Sequence, residues 1–146
     1  MKYNRYPKRD PINNCFPLPN EIFHLGLCSG KLSVYSYLLY REDRKTFQCW
    51  PSYKTIGNAL KMSRNTVKKY VELLEKKHFI STEYTDVFTK DGMKRNGNLK
   101  YTLRPIAEAM EYYHQLQMEK LAREQAKAEA KRRLEEYDRK RGCRSG

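Results

Sequence analysis

Apolar residues return along this chain with helical spacing in some segments and with alternate spacing in others. From Ser29 to about Arg44, Leu32, Tyr35, Leu38 and Leu39 recur at helical intervals with Val34 beside them, which predicts a first helix with Ser29 as its cap. Upstream, "LPNEIFHLGL" reads as a short helical turn capped by Asn20, containing Ile22 and Phe23 and ended by Gly26. "KTFQCW" is β-prone and brief, so it predicts one short strand halted by Pro51. Ser52 then caps a second helix, Tyr53 to Leu60, whose inner stripe is Ile56, Ala59 and Leu60. Ser63 caps a third, running to about Lys77, with Val67, Tyr70, Val71 and Leu74 on one side. Only Lys61 and Met62 separate these two helices, so they must cross steeply.

The pattern then shifts to β. "FISTEYTDVFT" and "LKYTLR" flank "KDGMKRNGN", which contains the turn formers Asp91-Gly92 and Asn96-Gly97. This predicts a hairpin with a long basic tip carrying Lys90, Lys94 and Arg95. Pro105 opens a helix free of Gly and Pro until Gly142, built mostly from strong helix formers. Ile106, Met110, Tyr113 and Leu116 give its start an apolar stripe, which thins to alanines after Leu121 and resumes only at Leu134 and Tyr137. A coiled coil needs apolar positions sustained over several heptads, so a half-docked helix with a solvated far end is favoured over a dimerising coil. Close Glu/Lys/Arg pairs in the far end add roughly 0.2–0.5 kcal/mol each.

The expected fold is therefore mainly α with a small β wing: a winged helix-turn-helix followed by a long C-terminal helix. The expected organisation is a mobile basic N-terminal arm over 1–18, the winged unit over 19–104, the long charged helix over 105–141, and a disordered tail over 142–146.

Charge narrows the reading. The 146 residues carry 30 Lys+Arg against 17 Asp+Glu, a formal charge of +13. Residues 20–105 hold sixteen basic and eight acidic residues, so the excess sits where the helix corner is. Such a surplus points to a polyanionic partner, nucleic acid first and an anionic membrane surface second. No apolar stretch approaches the ~20 residues of a membrane span, and "MKYNRYPKRD" is not followed by the apolar run of a signal peptide. A cytoplasmic, nucleoid-associated protein with reduced thiols is expected. Cys15, Cys28, Cys49 and His24 lack a Cys-x-x-Cys knuckle, so no metal and no cofactor is expected. Glu108, Glu111 and His114 share a helix face, but their exposed polar setting reads as solvated surface. With no phosphate-cradling Gly-rich loop, HExxH or GxSxG, neither an enzyme nor a small-molecule substrate is indicated.

The third helix carries the candidate chemistry. Opposite its apolar stripe it presents Asn65, Lys69, Glu72 and Lys76, with Lys68 on the shoulder and Arg64 in the first turn. The DNA major groove admits one α-helix; Arg or Lys can donate to guanine O6/N7, and Asn can pair with adenine N6/N7. First-turn residues do the reading in a helix-turn-helix, here Ser63, Arg64, Asn65 and Thr66, followed by Lys68 and Lys69. Ser63 and Thr66 can instead spend their hydroxyls on capping. Ser52, Tyr53 and Lys54 of the second helix and Lys90, Lys94 and Arg95 of the wing are the expected phosphate contacts. Tyr3, Tyr6, Tyr53, Tyr84 and Tyr101 are among twelve tyrosines able to stack on RNA bases, but core packing explains them better.

"CWPSYKTIGNALKMSRNTVKKYVELLEKKHFI" resembles the winged helix-turn-helix domains of plasmid, phage and mobile-element proteins of Gram-positive bacteria. "PSYKTIG" and "MSRNTVKKYV" carry the likeness, "LPNEIFHLGLCSGKLSVYSYLLYR" fits the entry helix, and the resemblance spans roughly 17–104. It implies sequence-specific double-stranded DNA binding, in transcription regulation or as the DNA-binding module of a replication initiator. It offers nothing for the last forty residues. His78 stands where Gly is often found near the end of this helix. Paired half-sites would make a homodimer, through the first helix or the C-terminal helix.

Overall fold

The computed structural model describes residues 15–144. A 3-10 turn (Asn20–His24) leads into α1 (Ser29–Arg41), β1 (Gln48–Cys49), α2 (Tyr53–Leu60), α3 (Arg64–Lys76), β2 (Ile80–Glu83), β3 (Asp86–Phe88), β4 (Lys94–Asn96), β5 (Lys100–Leu103) and α4 (Ile106–Arg144). Residues 1–14 of the expected basic arm and the end of the expected tail lie outside the described residues.

The chain divides after Met110 into two units. In the first, Val34, Tyr35 and Leu38 of α1, Ile56 of α2, and Val67, Val71 and Leu74 of α3 meet in one core with Phe79, Ile80, Tyr101 and Leu103. Burying each aliphatic side chain of this size is worth roughly 1.5–3 kcal/mol. Tyr35 and Phe79 pack edge to face with ring centroids 5.3 Å apart. Desolvation, then the Glu42 carboxylate, pushes the Tyr35 phenol up to about 12. The second unit is the remainder of α4, an exposed helix laced by the i,i+4 pairs Glu119–Arg123, Glu129–Arg133 and Glu136–Lys140.

Three strands form an antiparallel sheet in the order β1-β5-β2, with Cys49 opposite Tyr101 and Ile80 opposite Leu103. β3 and β4 pair separately, Val87 opposite Arg95 and Phe88 opposite Lys94. Three helices, this sheet and the projecting ribbon make a winged helix-turn-helix, followed by the long α4.

Several boundaries differ from the sequence reading, each for a local reason. α1 stops at Arg41 because the Asp43 side chain takes over the backbone: its Oδ1 accepts the Lys45 amide at 2.7 Å. The strand expected over "KTFQCW" shrinks to Gln48–Cys49 because Phe47 sits at φ 59, outside β geometry. Neither Asn20 nor Ser29 caps with its side chain; Pro19 and Cys28 occupy the capping positions. Ala59 is exposed, and Gly57 takes its place beside Ile56 on the inner side of α2. Phe16, placed in the arm, stacks on Tyr40 at 5.9 Å. α4 runs through Gly142 to Arg144, past the expected break, since one Gly costs a helix only about 1 kcal/mol.

Candidate nucleic-acid interface

α3 is held by its apolar face and capped at its head. Val67, Val71 and Leu74 are buried, while Arg64, Asn65, Lys68 and Lys69 on the other faces are exposed. Ser63 Oγ accepts the Thr66 amide at 3.2 Å and shares a 2.8 Å hydrogen bond with the Thr66 hydroxyl. Both hydroxyls are thus engaged in the cap. Ser52 repeats the arrangement on α2, accepting the Thr55 amide at 3.1 Å, with Tyr53 half-buried and Lys54 exposed behind it.

At its other end α3 is tied to the sheet. Glu75 Oε1 accepts from the Thr82 amide at 3.2 Å and from the Thr82 hydroxyl at 2.9 Å. The same helix ends with His78 in the left-handed region, φ 65, its amide reaching Glu75 O and the Phe79 amide reaching Leu74 O, each at 3.1 Å. This is the termination a Gly would ordinarily provide.

These fixings open a cleft of about 650 Å³ lined by Tyr53, Ser63, Arg64, Asn65, Lys68, Tyr84, Gly97 and Leu99. It brings the head of α2, the first turn of α3 and the root of the ribbon together. Thr66, Lys69 and Lys54 stand outside its lining. Burial, then Glu72, Tyr84 and Glu75, raises the Tyr53 phenol above its ordinary value.

The ribbon departs from the expected long basic tip. Its turn is short: the Thr89 amide reaches Met93 O and the Gly92 amide reaches Thr89 O, each at 2.9 Å, with Gly92 at φ 77. Lys90 alone of the three expected tip cations lies in this turn; Lys94 and Arg95 belong to β4. Lys94 is exposed but pairs with Asp86 at 3.1 Å. Asn96-Gly97 is not a turn. It marks the point where the two strands close in between the two sheets, with the Gly97 amide 2.7 Å from Thr85 O. A β-carbon on Gly97 would lie 2.6 Å from Thr85 Oγ1.

The sequence does not place Tyr84, Gly97 and Leu99 at the site: it offers Tyr84 as a stacking or core tyrosine and Gly97 as a turn former. Tyr84, expected to pack in the core, is 89% exposed; Tyr101, grouped with it, is fully buried. Alternation alone does not separate them, because strand pairing decides which side each faces. Among the described residues no cluster of His, Cys, Asp or Glu could hold a metal, Cys49 is buried, and Cys15 and Cys28 are exposed. Glu108 pairs with Arg104, which holds its carboxyl below the usual range. No helix among the described residues is long and apolar enough to cross a membrane.

Three solved structures are similar in part. A possible transcriptional regulator from Methanosarcina mazei Go1 is 20% identical, covering 68% of this chain and 78% of its own, with a TM-score of 0.47. A MarR family transcription regulator is 19% identical, covering 68% and 58%, with a TM-score of 0.41. A probable transcriptional regulator from Pseudomonas aeruginosa is 22% identical, covering 66% of each, with a TM-score of 0.36. No curated protein matches the sequence. The model of the helix-turn-helix domain matches residues 32–80, from within α1 to the first residue of β2, and the chain carries a helix-turn-helix domain there.

Proposed function

We propose that this protein binds double-stranded DNA sequence-specifically, without catalysis, as a transcriptional regulator of a bacterial mobile element. The observation that carries the reading is the cleft in which Arg64, Asn65 and Lys68 of α3 stand beside Tyr53 and Tyr84. The first turn of α3 enters the major groove, with Arg64 and Lys68 donating to guanine and Asn65 pairing with adenine. Ser63 and Thr66 position the helix through the cap and leave the free amides of its first turn to a phosphate. Lys69, Lys54, Ser52, Lys90, Lys94 and Arg95 supply the surrounding phosphate contacts, and Tyr53 donates to the backbone. The protein acts in the cytoplasm as a homodimer on paired half-sites. The mobile-element setting rests on the sequence resemblance of the 17–104 segment.

The test is a selection of duplexes from a random pool, then titration of the recovered duplex with wild type and an Asn65→Ala/Lys68→Ala variant at two salt concentrations. Wild type should retain its duplex against random competitor. The variant should lose that preference and keep weak binding whose affinity still falls with salt. Equal binding of all duplexes by both proteins would leave only a phosphate-seeking surface and sink the reading.

A further inference from the structure

The ribbon carries more than cations. Phe88 is 70% exposed, Met93 61% and Val87 53%, and all three lie within or beside strands that pair only with each other. A two-stranded ribbon has no second layer to cover such side chains. Phe88 and Lys94 are directly opposed, so Phe88 stands with Lys94 on one face, and Val87 projects from the other. The short turn closed on Thr89 and Met93, with a further 3.2 Å bond from the Met93 amide to Thr89 Oγ1, keeps the apolar end stiff.

From this we propose that the ribbon tip is an apolar wedge that enters the DNA minor groove and unstacks a base step, bending the duplex. The proposal rests on the DNA-binding reading above. Two observations favour DNA as the occupant. The ribbon grows out of Tyr84 and Gly97, which line the cleft beside the head of α3, so a duplex seated on α3 passes its root. From that root to the turn the strand extends roughly 15 Å at ~3.4 Å per residue, enough to pass the single phosphate strand that separates the major groove from the minor groove beside it. Lys94 of the tip pairs with Asp86 at 3.1 Å, and Lys90 is offset by Asp91, so these four side chains carry no net charge. A tip without net negative charge can approach a groove walled by phosphates, and inserted Phe or Met side chains act as wedges that bend duplexes by ~20–90°.

The experiment uses the full chain and the duplex that wild type recovers from the random pool. The duplex carries a donor and acceptor dye at its ends or 2-aminopurine at successive positions across the site. Wild type should shorten the end-to-end distance and raise 2-aminopurine fluorescence severalfold at one step. A Phe88→Ser/Met93→Ser variant should bind within about tenfold of wild type and lose both signals. Because both side chains are exposed, the variant should melt like wild type, which a thermal scan verifies. Binding by wild type with a straight duplex and quenched 2-aminopurine overturns the wedge and spares the DNA-binding reading. A variant that bends DNA as wild type does overturns the wedge equally. A wild-type dimer that the variant converts to monomer in sedimentation, without DNA, identifies the ribbon as a protein contact instead. Failure to recover any duplex removes both readings together.

Discussion

Met62 and Gly57 meet through their backbones: the Met62 amide donates to Gly57 O at 2.9 Å, and Met62 O lies 2.5 Å from where a β-carbon on Gly57 would stand. Lys61 between the helices takes the left-handed conformation, φ 58, ψ 45, to make that approach. The tight turn between α2 and α3 therefore depends on a missing side chain inside a helix, where Gly is otherwise a cost.

In an unconstrained helix Gly→Ala gains about 1 kcal/mol. At Gly57 the neighbour is a backbone carbonyl that cannot swing away, so Gly57→Ala should reverse the sign and destabilise by about 2 kcal/mol or more. Urea denaturation measures this. A stabilised Gly57→Ala variant would show that the turn has room to yield.

His78 holds the left-handed position that ends α3. That conformation costs an L-residue roughly 1–2 kcal/mol, and Gly gives back about half to one kcal/mol of it through its freer unfolded chain. His78→Gly should raise stability by about 0.5–1 kcal/mol, whereas His78→Ala should gain nothing. A shift in the urea midpoint for the Gly variant alone checks the assignment.

The Ser63 hydroxyl is committed to the cap of α3. Ser63→Ala should cost about 1 kcal/mol in stability, and Ser63→Asp, which supplies another good capping side chain, should restore it. The new carboxylate would nonetheless repel phosphate, so DNA binding by the Ser63→Asp variant should weaken although the fold recovers. Thermal melts paired with duplex titrations separate the two effects; parallel loss in both variants would point to a direct DNA contact by the hydroxyl.

Tyr35 links burial to alkaline stability. Its phenol is raised to about 12 in the native state, while the unfolded chain ionises near the ordinary value of 10. The native state thus keeps its proton longer, so the contribution is complete below pH 10 and disappears as pH rises to 12. The loss from this group is of order 2–3 kcal/mol across that window. Tyr101 is raised in the same direction by its burial. Melts between pH 9 and 12 should fall steeply in wild type and less steeply in Tyr35→Phe; identical slopes would contradict the assignment.

Local sequence was enough for whatever acts over one or two helical turns. The serine caps of α2 and α3, the stripe of Val67, Val71 and Leu74, and the exposed Arg64, Asn65 and Lys68 follow from spacing alone, because neighbours along a helix are neighbours in space. The order of the helices was legible for the same reason, whereas β4 lies in a segment that reads locally as a loop. Whatever depends on strands far apart in the chain became visible only in the folded molecule. Pairing of β5 with both β1 and β2 buries Tyr101, while Tyr84, just beyond β2, turns outward into the cleft. The close approach at Gly97 divides the wing into a sheet and a free ribbon, moves Lys94 and Arg95 from a loop into a strand, and leaves Phe88 and Met93 in solvent. A strand's alternation states that two faces exist; which face is covered is set by register with a partner that local sequence does not name.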